Sequence, residues 1–94
     1  MKYQIVTTSQ FEKDLKRIRK TLGRQAIVDI LESLNLLASD GYLPAGFYDH
    51  QLHEEYANER EYHVYDDLLV IYHFNNNELV LVAVRSGTHG ELFN

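Results

Sequence analysis

Five histidines and a scatter of carboxylates fill the second half of this 94-residue chain, and their types and spacing are what suggest chemistry. His50, His53, His63 and His73 lie within one stretch, and His89 follows near the C-terminus. Histidine can hold or release a proton near neutral pH, so it serves as acid or base. Cleaving RNA needs a base for the ribose 2′-hydroxyl, an acid for the departing 5′-oxygen and a cation for the charge gathering on phosphorus. His50, His63, Asp67, Arg85 and His89 are that set of types, and the set needs no metal. Two other readings stay open. His50 and His53, two residues apart among carboxylates, are spaced as a loose metal site. His53 and His73 can equally be plain polar groups, solvated in an acidic loop or, for His73, hydrogen-bonded on a strand face in register with Leu69 and Ile71.

The elements that must position these residues are legible from periodicity. Lys2 to Thr7 alternates like a strand. Ser9, with Glu12 three residues on, reads as a helix cap. Phe11, Leu15, Ile18 and Leu22 then follow one buried helical face. Lys13, Arg17, Lys20 and Arg24 repeat that spacing two residues later, roughly opposite, with Lys16 nearby. Gly23 interrupts, and a second helical pattern runs through Ile27, Ile30, Leu31, Leu34 and Leu37 to Asp40-Gly41. Two such helices with a short break imply an antiparallel hairpin. Tyr42 to Asn58 reads as a loop. Glu61 to Tyr65, Leu68 to Phe74 and Leu79 to Arg85 read as strands, joined by turns at Asp66-Asp67 and Asn75-Asn76-Asn77. Ser86 to Asn94 closes the chain as a glycine-punctuated tail. The order β-α-α-β-β-β makes one α+β domain over residues 1–94, with a helical hairpin packed on a mainly antiparallel sheet.

Composition narrows the class. Hydrophobic residues are 45% and charged residues 24% of the chain, which fits a globular domain rather than a disordered tail or a fibre. There is no cysteine, which excludes disulfide scaffolds, thiolate zinc sites and cysteine nucleophiles. No phosphate-cradling glycine loop, serine-nucleophile elbow or zinc-protease helix occurs. The apolar runs are far below the ~20 residues that span a bilayer, and no signal-peptide pattern opens the chain, so a soluble cytoplasmic domain without a membrane partner is expected. The net charge of −5 hides a division. Residues 1–24 carry a balance of +5 and residues 25–94 a balance of −10. The local field decides what docks where, and helix one offers a basic face to polyanions.

Three blocks of sequence resemble one family. Arg85-Ser86-Gly87-Thr88-His89-Gly90-Glu91-Leu92-Phe93 is similar to the R-[TS]-G-T-H-x-x-L-F ending of YafQ-type toxins, a branch of the RelE/ParE superfamily of bacterial toxin–antitoxin modules. Asp49-His50-Gln51-Leu52 resembles its D-H-P-L. Arg60-Glu61-Tyr62-His63-Val64, followed by Asp67-Leu68-Leu69-Val70-Ile71-Tyr72, resembles its R-[DE]-x-H-[VI]-x-x-D-W-[IL]-L-I-Y. The resemblance implies a RelE-like, microbial-RNase-like fold and a ribosome-dependent mRNA endoribonuclease that cuts A-site codons without a cofactor. It implies 70S ribosomes and mRNA as partners, and a cognate antitoxin of the DinJ-like, ribbon-helix-helix type. Carried over by position, His89 would be the principal catalytic residue and general acid, and His50, His63 and Asp67 would complete the acid–base set. Arg85 would hold the scissile phosphate, Glu61 and Arg60 would bind substrate, and Phe93 would stack on a base. Lys13, Lys16, Arg17, Lys20 and Arg24 would grip ribosomal RNA phosphates. Two rivals use the same fold: a non-catalytic, ParE-like gyrase inhibitor, and a decayed toxin that only binds antitoxin.

Overall fold

The computed structural model describes residues 2–93. Its elements run β1 (Gln4–Thr7), α1 (Ser9–Leu22), α2 (Arg24–Asp40), β2 (His50–Gln51), β3 (Arg60–Tyr65), β4 (Leu68–Asn75), β5 (Val80–Gly87) and α3 (His89–Phe93). Single turns of 3₁₀ helix at Ala45–Phe47 and Glu54–Tyr56 flank β2. The sheet has the order β1-β5-β4-β3-β2; β1 is parallel to β5 and every other pair is antiparallel. The expected α+β fold, a helical hairpin against a mainly antiparallel sheet, is the fold observed. Among the described residues, no helix is long and apolar enough to cross a membrane.

Several boundaries differ from expectation, each for a local reason. Thr8, not Ser9, caps α1: its hydroxyl oxygen accepts from the Phe11 amide at 3.0 Å and its hydroxyl donates to the Val84 carbonyl at 2.7 Å. The cap, worth about 1 kcal/mol, thereby also ties the helix start to β5. Leu22 and Leu31, expected on buried faces, are exposed, because Leu22 ends its helix and Leu31 lies off the α2 core stripe. Gly41 takes a left-handed φ of +81° and returns its amide to the Leu37 carbonyl, ending α2 where expected. The expected loop 42–58 contains β2 and both 3₁₀ turns, and the expected tail is largely structured: β5 extends to Gly87 and α3 follows. Asn94, the last residue of that tail, lies outside the described residues.

The two faces of the sheet do different work. Tyr62, Val70, Tyr72, Leu81 and Ala83 pack with Phe11, Ile18, Ile30, Leu34 and Leu37 in the main core beneath α1 and α2. Leu69 and Ile71 look the other way and form a smaller apolar floor with Leu92, Leu52, Tyr56 and Val84. Because α1 and α2 cover one face only, the floor of the other is free to carry polar groups along its rim.

Candidate active site

Strand register assembles the polar rim. His50 lies opposite Glu61, Glu61 opposite Ile71, and Ile71 opposite Arg85, one row across four strands. The next row is His63, Leu69 and Gly87. Cross-strand partners share a face, so Glu61, His63 and Arg85 stand on the side of the small apolar floor. The turn after β3 supplies Asp67, and α3 brings His89 and Phe93 back over the same region. Four residues of the expected acid–base set therefore meet although they are spread over 40 positions of sequence: His50, His63, Asp67 and His89.

Each imidazole is oriented by a fixed oxygen. His50 Nδ1 lies 2.7 Å from the Tyr48 carbonyl and His63 Nδ1 lies 3.2 Å from the Asp66 carbonyl. A carbonyl only accepts, so Nδ1 carries the proton in both and Nε2 is left to act. His50 Nε2 sits 3.0 Å and His63 Nε2 4.0 Å from Glu61 Oε2. His89 Nδ1 is 3.2 Å from Asp67 Oδ1, which also accepts from the His89 backbone amide at 2.9 Å. Those two His89 hydrogen bonds hold the Asp67 carboxyl below the usual carboxylate range. A carboxylate on Nδ1 fixes the orientation of the imidazole, as in other acid–base sites. Ring centroids of His63 and His89 are 5.8 Å apart, and those of His50 and His63 6.4 Å.

Glu61 is the anomaly of the site. It is 2% exposed, and its Oε1 has no hydrogen-bond partner among the described residues. A buried acceptor left open costs stability and is retained where something else uses it. Glu61, His63 and His89 each bring one ligating atom within 4.8 Å of the other two. Two imidazoles and a carboxylate suit zinc, copper or nickel, so these residues fit a metal ion. The His50–His53 spacing does not form such a group: His53 is exposed at the start of a 3₁₀ turn. His73 is hydrogen-bonded on its strand face, 2.5 Å from Glu59.

Arg85, Arg17 and Arg60 are each held by a carboxylate. Arg85 lies in the same row as Glu61, with Ile71 between them. It forks onto Asp14 of α1, Nε to Oδ2 at 2.9 Å and Nη2 to Oδ1 at 3.2 Å. Arg17 leaves the outward basic stripe. It bonds Asp14 at 2.7 Å, Glu91 of α3 at 2.8 Å and the Ser86 carbonyl at 2.9 Å. The bridge passes over Gly87, where an added Cβ would lie 2.7 Å from the Arg17 guanidinium and 2.8 Å from Glu91 Oε1. Lys13, Lys16, Lys20 and Arg24 stay exposed. Arg60 is not brought to the histidines: it alternates with Glu61 toward the helical face and pairs with Asp49 at 3.1 Å, beside Tyr72.

Asp14 is the residue the sequence reading missed. It is fully buried and accepts from Arg85, Arg17, Gln10 and the Ser86 amide. The signal was present: a lone carboxylate inside the apolar stripe Phe11, Leu15, Ile18, three residues from the first and four from the last. Tyr48 is the other omission. Its ring meets His63 edge-on at 5.8 Å while its carbonyl holds His50.

Comparison with known proteins supplies the frame for this geometry. No curated protein matches by sequence. Among solved structures, a YafQ mutant from E. coli with histidine replaced by glutamine is similar at 28% identity and a TM-score of 0.85, covering 98% of this chain and 99% of that one. The E. coli DinJ–YafQ toxin–antitoxin complex is similar at 30% identity and a TM-score of 0.78, covering all of both chains. A metal-bound toxin from Helicobacter pylori is similar at 33% identity and 0.85, covering 97% of this chain and 99% of that one. Residues 3–94 match the family described as bacterial toxin of type II toxin–antitoxin system, YafQ, and the chain belongs to that family.

Proposed function

We propose that this YafQ-family toxin is a ribosome-dependent mRNA endoribonuclease acting in the cytoplasm, held inactive by a DinJ-like cognate antitoxin. The observation that carries the reading is the convergence of His63 and His89 within 4.8 Å through ring nitrogens, each imidazole oriented by its own oxygen. His63 acts as the base. Its Nδ1–H is committed to the Asp66 carbonyl, so Nε2 takes the proton of a ribose 2′-hydroxyl. The 2′-oxygen attacks phosphorus, the P–O5′ bond breaks, and His89 as imidazolium gives its proton to the departing 5′-oxygen. The products are a 2′,3′-cyclic phosphate and a 5′-hydroxyl, and no water is consumed. Glu61 with His50 forms a pair through which the proton can move off His63. Arg85, aimed by Asp14, steadies the charge on the phosphorane oxygens. Phe93 stacks on a base.

A metal bound by Glu61, His63 and His89 would engage the same two imidazoles that this route requires. The test is primer extension on a defined mRNA in 70S ribosomes. Cleavage in the A-site codon, absent without ribosomes, and unchanged by a zinc chelator that spares magnesium, is the expected result. Loss of cleavage on chelation would replace the acid–base route with a metal-assisted one. No cleavage by folded protein would leave a binding toxin.

The exposed cations Lys13, Lys16, Lys20 and Arg24 are the surface for ribosomal RNA. Changing Lys13, Lys16 and Lys20 together to glutamate should weaken ribosome association at least tenfold at low salt, with a shallower dependence on salt. An unchanged affinity in a sedimentation assay would remove this helix from the interface.

A further inference from the structure

Resting on that nuclease reading, we infer that Tyr48 is a second nucleobase-stacking subsite, receiving the base on the 5′ side of the cut. Phe93, His89, His63 and Tyr48 form one continuous row, with successive centroids 6.0, 5.8 and 5.8 Å apart. The two histidines sit in the middle and an exposed aromatic ring stands at each end. A dinucleotide has the same layout, one phosphate with a base on either side. Phe93 borders His89, the acid for the departing 5′-oxygen, so Phe93 faces the downstream nucleotide. Tyr48 borders His63 and His50, on the side of the base and the attacking 2′-hydroxyl, so it faces the upstream one.

Local structure supports a role other than packing. Phe47, the preceding residue, is anchored against Tyr62 in the main core, with ring centroids 6.0 Å apart. Tyr48 then adopts a left-handed φ of +51°, which turns its ring to the opposite side and leaves it 69% exposed. A bulky residue seldom takes that conformation, and where it does the surroundings hold it there for a purpose. The Tyr48 amide donates to Ala45, and its carbonyl accepts from His50, so the backbone that aims the ring also fixes a catalytic imidazole. An aromatic face binds any base, which suits an enzyme that meets many codons.

The experiment compares programmed 70S ribosomes whose A-site codon carries either a normal nucleotide or an abasic ribonucleotide immediately 5′ of the cut. Tyr48→Asn removes the ring while suiting the left-handed backbone, and Tyr48→Phe keeps it. With the base present, Tyr48→Asn should cut about tenfold more slowly, the loss of one stack, and Tyr48→Phe should match the unmodified protein. With the base absent, Tyr48→Asn and the unmodified protein should cut alike. Equal slowing on both substrates, or none on either, overturns the proposal. Weakened antitoxin affinity with unchanged cleavage overturns it in favour of a protein-binding role for the ring. If the unmodified protein cuts neither substrate, the nuclease reading itself fails, and the subsite with it.

Discussion

Replacing His89 with glutamine is expected to slow cleavage of ribosome-bound mRNA by a factor of about 10² to 10⁴, the usual worth of a positioned general acid. Its side chain is 56% exposed, so the fold should survive the change with a melting temperature near that of the unmodified protein. Antitoxin binding should survive as well. Asp67→Asn is the finer probe. Asparagine can still accept from the His89 amide, so α3 keeps its start, but the negative charge is gone. Hydrogen bonds from the His89 amide and ring hold the Asp67 carboxyl below its usual range, and the same carboxylate fixes the direction of the ring. Asp67→Asn should therefore slow cleavage by less than His89→Gln does, because the imidazole is kept and only its orientation is loosened. A single-turnover measurement on programmed ribosomes reads both effects. Cleavage by His89→Gln at the unmodified rate would remove this histidine from the acid's role.

What the sequence made legible was whatever repeats along it. The stripes Phe11-Leu15-Ile18 and Ile30-Leu34-Leu37 follow the helical period, and the strands of β3 to β5 are apolar runs ended by turn residues, so the α+β order could be read. β2 escaped because two residues have no period, and its strand character comes entirely from lying beside β3. α3 escaped because a five-residue helix containing Gly90 has no propensity of its own, being held by Leu92 on the apolar floor and by the Glu91 bridge to Arg17. The parallel pairing of β1 with β5 joins the two ends of the chain, which local pattern cannot express. At the candidate site, residue type pointed to His50, His63, Asp67 and His89, which the fold brings together. It did not foresee that Arg17 pairs with Asp14 and Arg60 with Asp49, because sequence gives the sign of a side chain and not which carboxylate stands in front of it. It passed over Tyr48 because nothing in the letter Y reports a left-handed backbone.

Asp14→Ala should be the most destabilising single substitution outside the apolar core. The carboxylate is fully buried and accepts hydrogen bonds from Arg85, Arg17, Gln10 and the Ser86 amide. Breaking one side of a buried pair costs about 3–5 kcal/mol because the partner charge is left stranded. Here both arginines keep partial access to water, which argues for the lower end, about 3 kcal/mol. For a domain of this size that is a fall of roughly 15 °C in melting temperature. The pH dependence makes the assignment specific. Burial alone would raise the Asp14 carboxyl, but the hydrogen bonds from Arg85, Arg17 and Ser86 outweigh it and hold the group below its usual range. A depressed carboxyl contributes its stability above the unfolded-state value near ~3.9 and loses it as pH falls through the folded-state value. The stability gap between the unmodified protein and Asp14→Asn should thus be full at neutral pH and close progressively below about pH 4. Asp67, also held low, shares no partner with Asp14, so it titrates alike in both proteins and cancels from the difference. Urea unfolding across that range decides the matter. A gap that persists undiminished into strong acid would mean that Asp14 holds α1 against β5 by shape rather than by charge, and that Arg85 is aimed by something else.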